Sequence, residues 1–153
     1  MVKASIRPIT REDAQYIGEH LRADDIAEME ALGAEPSRAV ALCVASSDYA
    51  WVGCFDDVPA LAFGCTKGML SNWGEIWALG TDACTGHPRE MLQIGRSEVQ
   101  RMLEIYPLLE NHCDARYKRA LRWLRGLGFT VEAPEPYGPN GFPFCRVYIK
   151  KEN

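Results

Sequence analysis

The spacing of apolar residues in the middle of the chain predicts a strand, a loop and a helix. Residues 75–80, with the sequence EIWALG, form a short apolar run typical of a strand buried on both faces. Pro88 suits the first position of a helix, because its φ is fixed and its missing N–H is not needed there. Apolar residues then recur at helical spacing as far as Tyr106. Small polar residues in the intervening segment, residues 81–87, predict turns.

The N-terminal part carries local signals for a strand and three helices. Residues 5–9 predict a strand, and Thr10 and Asp13 have the spacing of a capping box at a helix start. A second helix is expected to stop at Gly33, and Pro36 opens a third. No pattern in this part demands catalytic or binding chemistry.

The remaining segments predict a largely β arrangement around one further helix. Further strand patterns occur in residues 49–55, 58–66, 108–113, 129–131 and 144–149. Asp56 and Asp57 form the two-residue turn of a hairpin. Residues 134–143 are expected to be a loop because they are rich in Pro and Gly. This order predicts an α+β fold of the three-layer α/β type, in which one domain, residues 1–153, has a central mixed β-sheet flanked by helices.

Composition and charge exclude several classes of protein. The net charge of −4 argues against a nucleic-acid footprint over the whole surface, though not against a local basic patch. No apolar run reaches transmembrane length, and the N-terminus has no signal-peptide pattern. The six cysteines show neither Cys-x-x-Cys pairs nor zinc-finger spacing with histidine. We therefore expect reduced core thiols, a cytoplasmic protein and no metal site.

The predicted junction between the central strand and its helix is a candidate anion site. A helix N-terminus has unpaired backbone N–H groups and the positive end of the helix dipole, so a pyrophosphate fits there. Every βα unit has such an end, and a unit with nothing bound is the alternative.

The order of elements and two motifs resemble the GNAT fold of acetyl-CoA-dependent N-acetyltransferases. The motifs are residues 6–13 (IRPxTxxD) and residues 120–129 (ALRWLxxLGF), a helix followed by Gly-Phe. The resemblance covers nearly the whole chain. It implies a GNAT-like domain that takes acetyl-CoA or coenzyme A.

A narrower resemblance is to the GNAT-like internal virion protein family of short-tailed bacteriophages. It rests on residues 25–28 (DIxE), 33–37 (GxEPS) and 76–79 (IWxL), together with the helix before Gly128. It implies a bacteriophage protein of the host cytoplasm or the virion, with phage or host proteins as partners.

Two departures from the family pattern indicate degenerate acetyltransferase motifs. Active members carry Gln/Arg-x-x-Gly-x-Gly/Ala before the central helix, whereas residues 85–92 are TGHPREML here. Pro88 removes a donor from that stretch, and Glu90 opposes an anion at the helix start. Leu124 stands where many active members carry the Tyr that protonates the departing thiolate, and Leu has no proton to donate.

The resemblance also implies which residues contact the cofactor. The backbone near Leu79 supplies the N–H that polarises the thioester carbonyl. In the loop and the first helical turn, the cofactor-binding candidates are Thr81, Gly86, His87 and Arg89.

Amine acetylation further needs a base and an acid. Glu75, at the start of the central strand, is the candidate base, and an ordinary exposed strand-start residue is the alternative. Tyr117 and Tyr137 are the candidate acids. For both, a buried ring with a satisfied hydroxyl is the alternative.

The helix predicted over residues 115–127, with Asp114 as its N-cap, has a basic face. Lys118, Arg122 and Arg125 share that face through their spacing. The stripe indicates phosphate binding, to coenzyme A or to phage DNA, and a solvated face opposite an apolar stripe is the alternative.

The sequence supports three functional hypotheses. The first is a virion-associated or assembly/ejection protein of a bacteriophage that keeps the GNAT fold with degenerate motifs. The second is an active N-acetyltransferase that transfers an acetyl group from acetyl-CoA to an amine. The third is a nucleic-acid-associated module that works through the basic helix.

Overall fold

The computed structural model describes residues 1–67 and 72–152. The elements in chain order are β1 (Ala4–Pro8), α1 (Arg11–Glu19), α2 (Ala23–Ala31), α3 (Pro36–Ser46), β2 (Tyr49–Phe55), β3 (Val58–Lys67), β4 (Gly74–Gly80), a 3₁₀ helix (Asp82–Cys84), α4 (Pro88–Ile105), β5 (Leu108–Asp114), α5 (Lys118–Gly126), β6 (Thr130–Val131), β7 (Glu135–Tyr137) and β8 (Phe142–Lys150).

The described strands form one mixed sheet in the order β1-β2-β3-β4-β5-β8-β6, with β7 also paired to β8. β4 and β5 are parallel, and they pair only through Gly74 with Leu109 and Glu75 with Glu110. The two strands then continue without further pairing to Gly80 and Asp114. This leaves a gap in the middle of the sheet, which we call the split.

Helices cover both faces of the sheet. α1 and α3 pack through Ala14, Ile17 and Val40 on the face that carries Val52 and Leu79. α4 and α5 pack on the opposite face, in the clusters that contain Phe63, Val99, Leu103, Leu121 and Val147. This arrangement confirms the predicted α+β fold with a central mixed sheet between helices.

Local sequence signals determine several element boundaries as predicted. Thr10 and Asp13 form the capping box of α1. Asp56 and Asp57 have φ values of 50° and 65°, the left-handed conformation that a tight hairpin turn requires. Gly128 follows α5 with a φ of 99°, so its lack of a side chain permits the helix stop.

Three predictions about local structure are wrong. Asp114 belongs to β5, and α5 begins at Lys118 after Tyr117, because the Asp114 carboxylate is bonded to the N–H and side chain of Arg116 instead. The predicted loop 134–143 contains β7. The sheet accepts Pro136 there because β7 is an edge strand.

The third correction concerns β4, which is not buried on both faces. Glu75 is exposed and the following three residues are only half-buried, because the split removes a neighbouring strand from this part of β4.

All six cysteines are free, and five of them are buried, as predicted. No described helix combines the length and apolar character needed to cross a membrane. Within residues 1–67 and 72–152, no group of three or more His, Cys, Asp or Glu side chains is placed to hold a metal ion.

Candidate functional site

A cavity of about 110 Å³ occupies the split. Asn111 closes its narrow end: its Nδ2 donates to the carbonyl oxygen of Ile76, and its Oδ1 accepts the N–H of His112 at 2.7 Å. The side-chain amide of Asn111 therefore stands where the next backbone hydrogen bond between β4 and β5 would form. It ends the parallel ladder and gives the Ile76 carbonyl a hydrogen-bond partner.

On the β5 side of β4, the peptide groups of Ala78 lie between two backbone groups that already have hydrogen-bond partners. The carbonyl of Ile76 faces β5, and the N–H of Gly80 is donated to α2, so both point away from β3. Because peptide edges alternate along a strand, those of Ala78 face the split and those of Leu79 face the β3 ladder. The donor that faces the split is thus the N–H of Ala78, one residue before the predicted Leu79.

The wide end of the split is closed by two carboxylates of α2. Asp25 Oδ2 accepts the N–H of Gly80 at 2.7 Å and the Nε–H of Arg22 at 2.8 Å. Glu28, one turn later, accepts the N–H of Asp114 at 2.9 Å through Oε2. One helix therefore holds the ends of both diverging strands.

Glu28 is a carboxylic acid in this cavity with a strongly shifted pKa. Burial raises the pKa of its carboxyl to about 7; the N–H of Asp114 opposes this shift and the charge of Asp25 adds to it. A carboxyl with such a pKa exchanges its proton near neutral pH, as a general base must. No sequence pattern indicated this role, because Glu28 looks like any acidic residue on an amphipathic helix.

Tyr117 brings an unpartnered hydroxyl into the same cavity. The residue is buried, and its Oη has no hydrogen-bond partner among the described residues. Burial raises the pKa of Tyr117, and the nearby Asp25 carboxylate raises it further, so the phenol keeps its proton; the hydroxyl faces Asp25 without a hydrogen bond of ordinary geometry to it. The Arg22 guanidinium lies 5.6 Å from the ring centroid. Leu124, at the family's usual tyrosine position, lines this cavity too.

A second cavity, of about 450 Å³, lies between the start of α4 and α5, and we call it the groove. Thr85, Pro88, Arg119 and Arg122 are among its lining residues. Arg119 Nη1 donates to Thr85 Oγ1 at 3.2 Å, which joins the two walls. Four residues line both cavities: Arg22, Tyr117, Ala120 and Trp123. The groove and the split therefore adjoin at Tyr117.

Of the predicted loop contacts, Thr81 has a structural role. Its N–H is donated to Ala60, and its Oγ1 accepts the N–H of Ala83 at 3.3 Å as the cap of the 3₁₀ helix. Gly86 is exposed, and a Cβ there would come no closer than 3.8 Å to Ala83, so the fold does not require glycine.

His87 and Arg89 flank the groove without lining it. His87 lies against the ring of Phe55 and 3.9 Å from Glu90, and Arg89 is exposed. The same loop contributes Cys84 and Thr85 to the groove. A prediction based on the loop alone missed this, because α5 decides which side of the loop faces a cavity.

The remaining candidates lie at the rim. Glu75 is exposed at the narrow end of the split and does not line its cavity. Tyr137 is 38 % exposed and stacks on His112 with ring centroids 3.9 Å apart. Lys118 and Arg125 are exposed on α5 outside the groove, whereas Arg122 lines it.

Solved structures share this architecture. A GNAT-family acetyltransferase from Streptococcus pneumoniae is 14% identical, with a TM-score of 0.62, and the match covers 98% of this chain and 100% of that one. The chain has the GNAT fold. A GNAT acetyltransferase from Bacillus anthracis matches it with 10% identity, 99% coverage of both chains and a TM-score of 0.69.

Aminoglycoside acetyltransferase AAC(6')-Ib in complex with coenzyme A has the same fold, with 14% identity, coverage of 97% of this chain and 95% of that chain, and a TM-score of 0.71. A further structure of that enzyme contains acetyl-CoA. No family model and no curated protein matches the chain. At these identities the likeness shows the GNAT fold alone.

Proposed function

We propose that the protein binds acetyl-CoA and transfers the acetyl group to an amine. The observation that carries this proposal is that the basic groove adjoins the split, with Tyr117 lining both cavities and Glu28 lining the split. An orphaned buried hydroxyl is expected where a ligand provides the partner.

The residues of the two cavities fit coenzyme A. Arg119 and Arg122 place two cations on α5, and the start of α4 adds the positive end of a helix dipole. The split would hold the thiol-bearing arm of coenzyme A, and the backbone N–H of Ala78 would be a hydrogen-bond donor there. When bound, coenzyme A supplies an acyl group activated as a thioester.

The chain's own groups supply the proton chemistry. The Glu28 carboxylate accepts a proton from the acceptor ammonium, as its pKa of about 7 permits. The Ala78 N–H faces the split, where it would donate to a thioester carbonyl oxygen as that oxygen gains charge. Tyr117 Oη keeps its proton and lines both cavities, so in this proposal it donates the proton that a tyrosine at position 124 would donate in the family pattern.

The proposal is tested by thermal melts with acetyl-CoA and with coenzyme A, on two matched variants. A ligand at ~100 times its Kd adds about 2.7 kcal/mol of stability, which raises the Tm of such a domain by several degrees. We expect this shift in the wild type. It should vanish in Arg119→Glu/Arg122→Glu, whose residues line the groove.

The control is Lys118→Glu/Arg125→Glu, which reverses two charges on the same helix outside the groove. It should keep the shift. An absent shift in the wild type, or equal losses in both variants, contradicts the proposal. Loss of DNA binding in the control variant alone would instead support the nucleic-acid hypothesis.

The phage hypothesis finds no support in the three comparisons. No observation on the fold favours a virion or assembly role over acyl transfer. That role, the phage or host protein partners, and a host-cytoplasmic or virion location stay predictions.

A further inference from the structure

The two ends of the adjoining cavities differ in charge. The groove end carries Arg119 and Arg122. At the other end, which we call the second mouth, Trp77 and His112 line the split. Trp77 Nε1 donates to Ser47 at the end of α3 at 2.7 Å, so this second mouth lies on the face covered by α1 and α3.

Three carboxylates surround the second mouth, and Arg146 is the one cation paired with them among residues 1–67 and 72–152. Arg146 pairs with Glu110, and its Nη1 lies 3.4 Å from Glu132 Oε2. Glu75 stands beside Glu110 on the parallel strand and has no ion pair within residues 1–67 and 72–152. Like charges on paired strands destabilise a sheet, and such local conflicts are typical of functional sites.

An aromatic platform adjoins Glu75. His112 and Tyr137 stack at 3.9 Å, with their planes 12° apart. Burial lowers the pKa of His112, so the imidazole is neutral at neutral pH, and the charge of Glu75 acts on both rings. A carboxylate beside exposed aromatic rings is a site for an alkylammonium group.

The turn between β7 and β8 lies against the end of α2 near this mouth. Asn140 Nδ2 donates to the carbonyl of Ala31 at 3.4 Å, and Gly138 lies over Leu32. These contacts fix the turn that follows Tyr137 against the end of α2.

We infer that the acceptor is a small alkyl amine with a second cationic group, an α,ω-diamine in the simplest case, and that Glu75 holds that second group on the His112–Tyr137 platform. The inference rests on the proposed acyl transfer. The reacting amine enters the split, where Tyr117 Oη is unpartnered and Glu28 accepts its proton. The carboxylates Glu75, Glu110 and Glu132 thus lie beside a cavity in which the unpartnered Tyr117 hydroxyl independently indicates a ligand.

Three amines with five carbon atoms each test this inference on the protein saturated with coenzyme A: 1,5-diaminopentane, pentylamine and 5-aminopentanoate. Calorimetry gives each Kd, and steady-state assays with acetyl-CoA give each kcat/KM. We expect the diamine to bind about fivefold or more tightly than pentylamine, the effect of one exposed ion pair. The aminopentanoate should bind weakest.

Glu75→Gln should remove the preference for the diamine and leave the Kd of pentylamine unchanged. Glu12→Gln, an exposed change in the first turn of α1, should keep the preference. Equal affinities for the three amines, or a preference that survives Glu75→Gln, overturn the inference. A missing thermal shift with coenzyme A overturns the proposed acyl transfer instead, and the amine ranking on the free protein then still decides the role of Glu75.

Discussion

Two residues of the split hold polar groups in unusual states. Glu28 has a carboxyl whose pKa is raised to about 7 by burial, and Tyr117 has a hydroxyl without a partner in the described structure. An unpartnered buried hydroxyl costs about 1–3 kcal/mol. Costs of this kind are retained at sites that bind or react.

Replacing Glu28 with Gln should lower kcat by at least about 10²-fold, because general-base catalysis typically contributes that much. In the wild type, kcat/KM should rise with pH through about 7, as the carboxyl loses its proton. The charged groups around it are Asp25, Asp114 and Arg22. A pH–rate profile measures both effects, and Glu30→Gln, an exposed change on α2, is the control. An unchanged profile in Glu28→Gln contradicts the role.

The same substitution should change how stability depends on pH. The folded pKa of Glu28 lies above its ordinary value of 4.5, so the folded state binds the proton more tightly. Its contribution to the free energy of unfolding is full below about 4.5, falls as pH rises to about 7, and is constant above. Glu28→Gln should lack this loss, of about 3 kcal/mol at most. Urea unfolding at pH 5 and pH 8 measures it, and equal pH dependence in both proteins counts against a buried, titrating Glu28.

Tyr117→Phe should affect stability and activity in opposite directions. No hydrogen bond is lost, so the free energy of unfolding should stay equal or rise by about 1 kcal/mol. Turnover should fall about 10²-fold or more if the hydroxyl supplies a proton. Tyr106→Phe is the control, since its hydroxyl donates to Asp48 and its loss should lower stability without slowing turnover. Equal behaviour of the two variants would exclude a special role for Tyr117.

At the scale of elements, α2 braces the split, in the sense that it hydrogen-bonds to the ends of both strands beside it. Asp25 holds the end of β4 and Glu28 holds the end of β5, so the helix replaces the strand pairing that the sheet lacks there. Asp25 also neutralises Arg22, which is itself buried. The Arg22–Asp25 ion pair therefore lies where α2 joins the end of β4.

Asp25→Ala should lower the free energy of unfolding by about 3–5 kcal/mol, because it leaves the buried Arg22 cation unpaired. Asp24→Ala, an exposed change at the neighbouring position, should stay within about 0.5 kcal/mol of the wild type. Chemical denaturation of both variants measures the difference. A loss in Asp25→Ala as small as that in Asp24→Ala would show that α2 does not brace the sheet.

At the scale of the molecule, a modest net charge of −4 conceals a separation of charge. Basic residues of α5 face the groove, and carboxylates surround the opposite mouth. Such a field favours an anionic ligand on one side and a cationic ligand on the other, and it is screened by salt.

Raising the salt concentration from about 50 to about 500 mM should weaken coenzyme A binding roughly tenfold, since the Debye length falls to a few ångströms. Arg122→Gln should flatten this dependence, and Arg125→Gln, outside the groove, should not. Calorimetric titrations over the salt series measure the slope. Binding that ignores salt would mean that the arginines do not contact the phosphates.

The sequence by itself determined the layers, the hairpin and most helix starts, because these depend on neighbouring residues. The capping box at Thr10, the turn at Asp56 and the stop at Gly128 are examples. It also indicated the GNAT fold and Tyr117 as a candidate acid.

Only the tertiary structure decided where the split lies and which groups face it. Glu28 meets Asp114 across 86 positions, and Asp25 meets Gly80 across 55. No local pattern encodes such contacts, because they depend on how far β4 and β5 diverge and on where α2 crosses the gap. For the same reason, burial rather than sequence sets the pKa of Glu28 and leaves the Tyr117 hydroxyl without a partner.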